Sequence, residues 1–141
     1  MKRHELFEHT ADIGYTAYGA DLPEAFAVAG EALFELITGG SKITPEIETS
    51  ITVESVDLEG LLVGFLSELL VRFEVDNLVL TDFTVVLLGS TRLTAKATGE
   101  KFDEQKHAHG HHVKGVSYHL MEIVDNTDSD DESHVKVLLD V

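Results

Sequence analysis

The sequence predicts a single α+β domain in which two main helices are layered between mixed or antiparallel β-sheets. Three observations carry this prediction. Two long apolar segments at helical spacing each follow a capping aspartate, Asp21 and Asp57. The remaining apolar runs are short, rich in β-branched residues, and separated by turn-forming clusters. The second helical segment is apolar on nearly all sides, so it needs cover from two directions.

His4 to Glu8 and Tyr15 to Tyr18 are the first strand-like runs. Asp21-Leu22-Pro23-Glu24 then opens a helix, with aspartate at the cap, proline in the first turn and glutamate three residues after the cap. Leu22, Phe26, Ala29, Leu33, Leu36 and Ile37 keep the helical period until Gly39-Gly40 ends it. Ile51 to Val56 reads as a strand. The second helix begins at Asp57, and Leu58, Leu61, Leu62, Phe65, Leu66, Leu69, Leu70 and Phe73 recur at i, i+3, i+4 and i+7, while Val63 and Val71 widen the apolar surface. Leu78 to Leu88 and Arg92 to Thr98 flank a tight hairpin signal at Gly89-Ser90, and Leu93, Ala95 and Ala97 alternate with polar residues. Val113 to Val124 and Val135 to Asp140 close the sequence around the acidic stretch from Asp125 to Ser133, which is expected to be a mobile, solvated hairpin loop. No internal repeat or linker divides residues 1–141.

Composition removes several functions. The 141 residues carry 26 acidic against 10 basic side chains, a formal net charge of -16. A polyanion draws its affinity from Lys and Arg, so strong direct nucleic-acid binding is not expected. The acidic excess suits either a surface adapted to high salt or a basic protein partner. With no cysteine, disulfides, thiolate zinc sites and cysteine nucleophiles are excluded, and a reducing cytoplasm is the expected setting. Leu58 to Val75 is broken by Glu59, Ser67, Glu68, Arg72 and Glu74, so no membrane span is expected. There is no phosphate-cradling glycine loop, no GxSxG and no HExxH.

The residues that remain as candidates for chemistry are few. Asp12, in His9-Thr10-Ala11-Asp12-Ile13-Gly14, and Asp140, beside a terminal carboxylate at Val141, form a partial hard-oxygen shell for a cation if the fold brings them together. Otherwise Asp12 serves a turn before Gly14 and Asp140 is a solvated end. Pairing the last two strands around a loop centred near Ser129 puts Asp140 opposite the region of Gly115 to His119, close to Lys114. Lys114 is unusual as a lysine inside an apolar run of so acidic a chain, a candidate for pairing with a carboxylate, a phosphate or a partner. His107, His109, His111 and His112 form a tract able to chelate a transition metal, but on a glycine-containing, loop-like segment, so it reads as an adventitious chelator. His9, Tyr118 and His119, beside strands, read as packed, hydrogen-bonded structural groups.

The ordered motifs resemble those of the archease family along nearly the whole sequence. They are His9-Thr10-Ala11-Asp12-Ile13-Gly14, Glu24-Ala25-Phe26 through Ala32-Leu33-Phe34, Asp57-Leu58-Glu59-Gly60-Leu61-Leu62 with Glu68-Leu69-Leu70, Val113-Lys114-Gly115-Val116-Ser117-Tyr118-His119, and Leu139-Asp140-Val141. The resemblance implies helices between β-sheets and a non-enzymatic helper of the tRNA-splicing RNA ligase, which joins a 3'-phosphate or 2',3'-cyclic phosphate end to a 5'-hydroxyl end. The family's helper promotes guanylylation of the ligase by GTP, sustains multiple turnover and broadens nucleotide use. Carried over, its calcium ligands fall on Asp12, Asp140 and Val141, and its functionally required lysine on Lys114. The sequence departs from the family pattern at Gly115-Val116-Ser117, at Lys106-His107, in the extra histidines 109, 111 and 112, and in the acidic loop. Two other classes stay open: a chaperone-like modulator of another tRNA-modifying enzyme, such as a tRNA methyltransferase, and a metal-dependent hydrolase built on Asp12, Asp140 and the histidines.

Overall fold

The computed structural model of the chain describes residues 2–9 and 12–141. Its elements run β1 (Arg3–His9), β2 (Asp12–Gly19), α1 (Leu22–Thr38), β3 (Ile47–Glu54), α2 (Leu58–Asp76), β4 (Leu78–Leu88), β5 (Arg92–Lys101), β6 (Gly115–Val124) and β7 (Ser133–Asp140). A four-stranded antiparallel sheet has the order β1-β2-β7-β6, and a three-stranded antiparallel sheet the order β3-β5-β4. The helices fill the space between them: α1 packs on β4 from one sheet and on β2 and β7 from the other, and α2 on β3 and β6. The α+β arrangement with helices between sheets is the one the sequence predicts. Among the described residues, no helix is long and apolar enough to cross a membrane.

Both helices start where their caps dictate. The Asp21 carboxylate accepts from the Glu24 N–H at 2.9 Å, and Glu24 reaches back to the Ala20 N–H at 2.9 Å. Asp57 accepts from the Gly60 N–H at 2.8 Å in the same way. The helix enclosed most completely is α1, whereas the apolar periodicity pointed to α2. Ala25, Ala27, Ala29 and Ala32 are buried along α1, while Val71 and Val75 of α2 are exposed. Small side chains let two sheets close on one helix, yet they contribute little to an apolar pattern, which explains the difference.

The core joins the layers through aromatic contacts. A bulge in β4 places Asp82 and Phe83 opposite Ala97 of β5, and Phe83 stacks on Phe34 of α1 at 6.2 Å and meets Phe65 of α2 edge-on at 5.9 Å. On the other side, Tyr15 of β2 is fully buried and its hydroxyl donates to the Ala29 carbonyl of α1 at 2.8 Å. Burial pushes the Tyr15 phenol far up from its ordinary pKa, so it remains a donor at any physiological pH. Arg72 of α2 ties that helix to β3, donating to Thr49 and to the Ser50 carbonyl.

Two strands begin elsewhere than their sequences suggest. β2 starts at Asp12 and includes Gly14, so both are strand residues. Gly14 pairs with Phe7, whose ring occupies the space a Cβ at position 14 would need. β6 begins at Gly115, which leaves Val113 and Lys114 in the segment leading to it. The acidic connection is tethered where a free loop was expected: Thr127 accepts from the Leu22 N–H at 3.1 Å at the start of α1, and Asn126 bonds to Ser133 and to the Glu132 carbonyl.

Tyr15→Phe removes one buried hydrogen bond while keeping the ring, so it should lower stability by about 1 kcal/mol. Denaturant unfolding, with an unchanged slope, checks this.

Candidate functional site

The candidate site is a single cross-strand row at one end of the four-stranded sheet. His9 pairs with Asp12, Asp12 with Asp140, and Asp140 with Gly115, so the row crosses all four strands of that sheet. Strand alternation sets which way it faces. Ile13 and Leu139 are buried toward the helices, so Asp12 and Asp140 lie on the outer face. Gly115 brings no side chain to the row, and a Cβ built there would lie 3.8 Å from Asp140 Oδ2. The space beside the Asp140 carboxylate is therefore open. Thr10 and Ala11 of the first motif lie outside the described residues.

Lys114 is delivered to this row by backbone. Its N–H donates to the Asp140 carbonyl at 2.7 Å, and its side chain is exposed, with no ion pair to any described residue. The residue stands immediately before β6 and not within a buried strand, which leaves its ammonium available to a partner. Asp140 likewise has no hydrogen bond or ion pair from a described side chain. Carboxylates directly opposite each other in an antiparallel pair repel, and like-charge pairs of this kind destabilise a sheet. An all-oxygen donor set of this kind would suit calcium or magnesium better than a soft metal.

The histidine tract does not converge on one centre. His107 is only 1% exposed: its Nδ1 accepts from the Asp103 N–H at 2.9 Å, and its Nε2 lies 3.0 Å from Glu100. Both ring nitrogens are thus occupied by protein. His109 lies against Phe102 with 5.0 Å between ring centroids, and His111 and His112 are exposed. The backbone of the tract has a definite use. Gly110 and His111 donate to the Ile37 and Leu36 carbonyls at 2.9 Å each, capping the end of α1, and a Cβ at position 110 would overlap the Leu36 carbonyl oxygen. Among the described residues no three His, Asp or Glu side chains gather as a metal-binding group.

Glu100 anchors this segment, a role no local sequence signal gave. It is only 7% exposed, and it accepts from Lys106 Nζ at 2.7 Å, from the Thr44 N–H at 2.7 Å and from His107 at 3.0 Å. Burial raises its pKa, but these three bonds outweigh burial and hold the carboxyl down at about 2. The network fixes the start of the 102–114 connection, whose far end carries Lys114. Tyr118 and His119, expected to be packed, are instead exposed.

The sequence profile of the Archease protein family matches residues 4–141. A Pyrococcus furiosus protein named Protein archease is 45% identical over 126 residues, covering 87% of this chain and 89% of that protein. A Sulfolobus acidocaldarius protein of the same name is 44% identical over 127 residues, covering 89% and 91%. The solution structure of Methanobacterium thermoautotrophicum protein 1598 superposes with a TM-score of 0.72 at 32% identity over 98% of each chain. A Thermotoga maritima crystal structure, described as an archease and possible chaperone, has a TM-score of 0.58 at 18% identity over 96% of this chain and 94% of that one, a likeness of fold alone.

Because the Glu100 pKa is depressed from 4.5 to about 2, its ionised form contributes stability in full above pH 4.5, and that contribution is lost as pH falls toward 2. Glu100→Gln should destabilise the protein at pH 7 by about 1–3 kcal/mol. Unfolding measured from pH 7 to pH 2 should show the gap between parent and variant narrowing below pH 4.5.

Proposed function

The chain belongs to the archease family, and on that premise we propose that it is a non-catalytic protein cofactor of a tRNA-splicing RNA ligase, promoting GTP-dependent guanylylation of the ligase and multiple turnover. The observation that carries this reading is the row in which Asp12 and Asp140 are direct cross-strand neighbours while Lys114 is bonded through its N–H to Asp140. Asp12, Asp140 and a backbone oxygen of Val141 would hold calcium. Bound there, the ion would supply a fixed positive charge for phosphate-bearing groups.

The chain's own residues do the rest. Lys114, whose N–H is bonded to the Asp140 carbonyl, presents an exposed side chain that would meet a ligase carboxylate or a nucleotide phosphate during guanylylation. The net charge of -16 speeds encounter with the basic cleft of an enzyme that handles RNA and GTP, and it repels free RNA.

Three measurements test the reading. Calcium titration by calorimetry should show a site that is lost in Asp12→Asn and in Asp140→Asn and retained when His109, His111 and His112 are all changed to Ala; the reverse pattern overturns the assignment. Ligation with the ligase at limiting concentration should be stimulated by the protein, whereas phosphatase or nuclease activity of the protein alone would point to the hydrolase. Lys114→Met keeps most of the aliphatic stem, so it should remain folded and lose roughly tenfold or more of the stimulated rate, the scale of one charged hydrogen bond.

A further inference from the structure

β6 leaves the register of its partner at one place. Between the Ser117–Leu138 and Glu122–Lys136 pairs, the four residues 118–121 oppose the single residue Val137. The surplus emerges from an edge strand, with Tyr118 58% exposed and Leu120 42% exposed. Leu120 is held at φ 60°, a left-handed conformation that L residues other than Asn and Asp seldom adopt. Among the described residues, the other non-glycine positions with positive φ are Asn77 and Asp82, which tolerate it. A bulge alone blunts an edge against strand pairing; exposing a tyrosine and a leucine on it adds apolar surface that such protection does not require. Strain of this kind persists where a surface is used.

The bulge begins three residues along β6 from Gly115, about 10 Å from the aspartate row at the usual rise of a strand. Acid predominates around it, with Asp140 and Asp12 toward one end and Glu122 and the 125–132 connection toward the other, against two cations, Lys114 beside Asp140 and Lys136 at 3.8 Å from Glu122. We propose that Tyr118, His119 and Leu120 form the apolar centre of a docking surface for a cationic protein, the RNA-handling ligase; this rests on the function proposed above. An apolar knob within an acidic rim matches a surface whose Lys and Arg residues serve RNA phosphates and which offers an apolar recess. A second copy of this chain would bring two strongly negative surfaces together, and RNA is repelled by the same charge.

The test is direct binding of the purified ligase to the full chain. Tyr118→Ser combined with Leu120→Asn, asparagine being tolerant of the left-handed backbone, should weaken binding by at least about tenfold, with thermal midpoint and calcium titration unchanged. Val86→Ser with Leu88→Ser, which removes exposed apolar surface from the other sheet, should bind as the parent does. Leu120→Gly relieves the backbone and guards against misfolding: it should weaken binding without lowering the midpoint, whereas a merely structural Leu120 would lose stability. If the double variant binds as tightly as the parent, the docking surface is wrong while the ligase reading stands. If the parent itself fails to bind the ligase, both fall. Self-association or tRNA binding that disappears in the double variant assigns the surface to another occupant and overturns the proposal.

Discussion

The constraint on which the structure depends is the burial of α1 between two sheets. Its buried surface mixes the short side chains of Ala25, Ala27, Ala29 and Ala32 with the long ones of Phe26, Leu33, Phe34 and Ile37, so that backbone comes close to one neighbour while aromatic rings reach another. Burying a helix on both sides also buries backbone carbonyls near foreign side chains. The Tyr15 hydroxyl, donating to the Ala29 carbonyl, turns that proximity into a polar weld between β2 and α1. With β2 positioned by its buried face, the register of β7 against it follows from Val135, Val137 and Leu139 entering the same core.

That register is what makes the aspartate row. A slip of one residue between β2 and β7 would drive Leu138 and Asp140 inward and bring Val137 and Leu139 out, an exchange of apolar burial for buried charge that the core does not permit. The pairing of two carboxylates on the outer face is thus specified by apolar residues on the inner one. The carboxylate pair is tolerated because the surrounding sheet holds it in place.

Much of this was legible in the residues. Both aspartate caps, the strand from Leu78 to Leu88 and the hairpin at Gly89-Ser90 carry local chemistry that acts the same way in any context. The pairing of Asp140 near Lys114 followed from counting outward along the last hairpin. Other features depend on partners far away in sequence. Gly14 looks like a turn residue and is in fact the floor beneath the Phe7 ring. Gly110 belongs to a tract whose imidazoles suggest chelation, while its amide closes α1. Gly115 to Val124 reads as an uninterrupted strand because no residue within it announces the left-handed turn at Leu120. Glu100 is one acid among many until Lys106, His107 and Thr44 converge on it.

The order β1-β2-β7-β6 places β7, the latest of these four strands along the chain, in the interior of its sheet. While the ribosome is still extending the chain, β1 and β2 can pair as a hairpin, but one edge of β2 and one face of α1 have nothing to close against. The nascent domain therefore stays incomplete until β7 emerges, and its folding is governed by contacts between distant parts of the chain. Because β7 also carries Asp140, the event that seals the core is the same event that assembles the row. A product lacking β7 would leave its core exposed and would carry only half of the acidic pair.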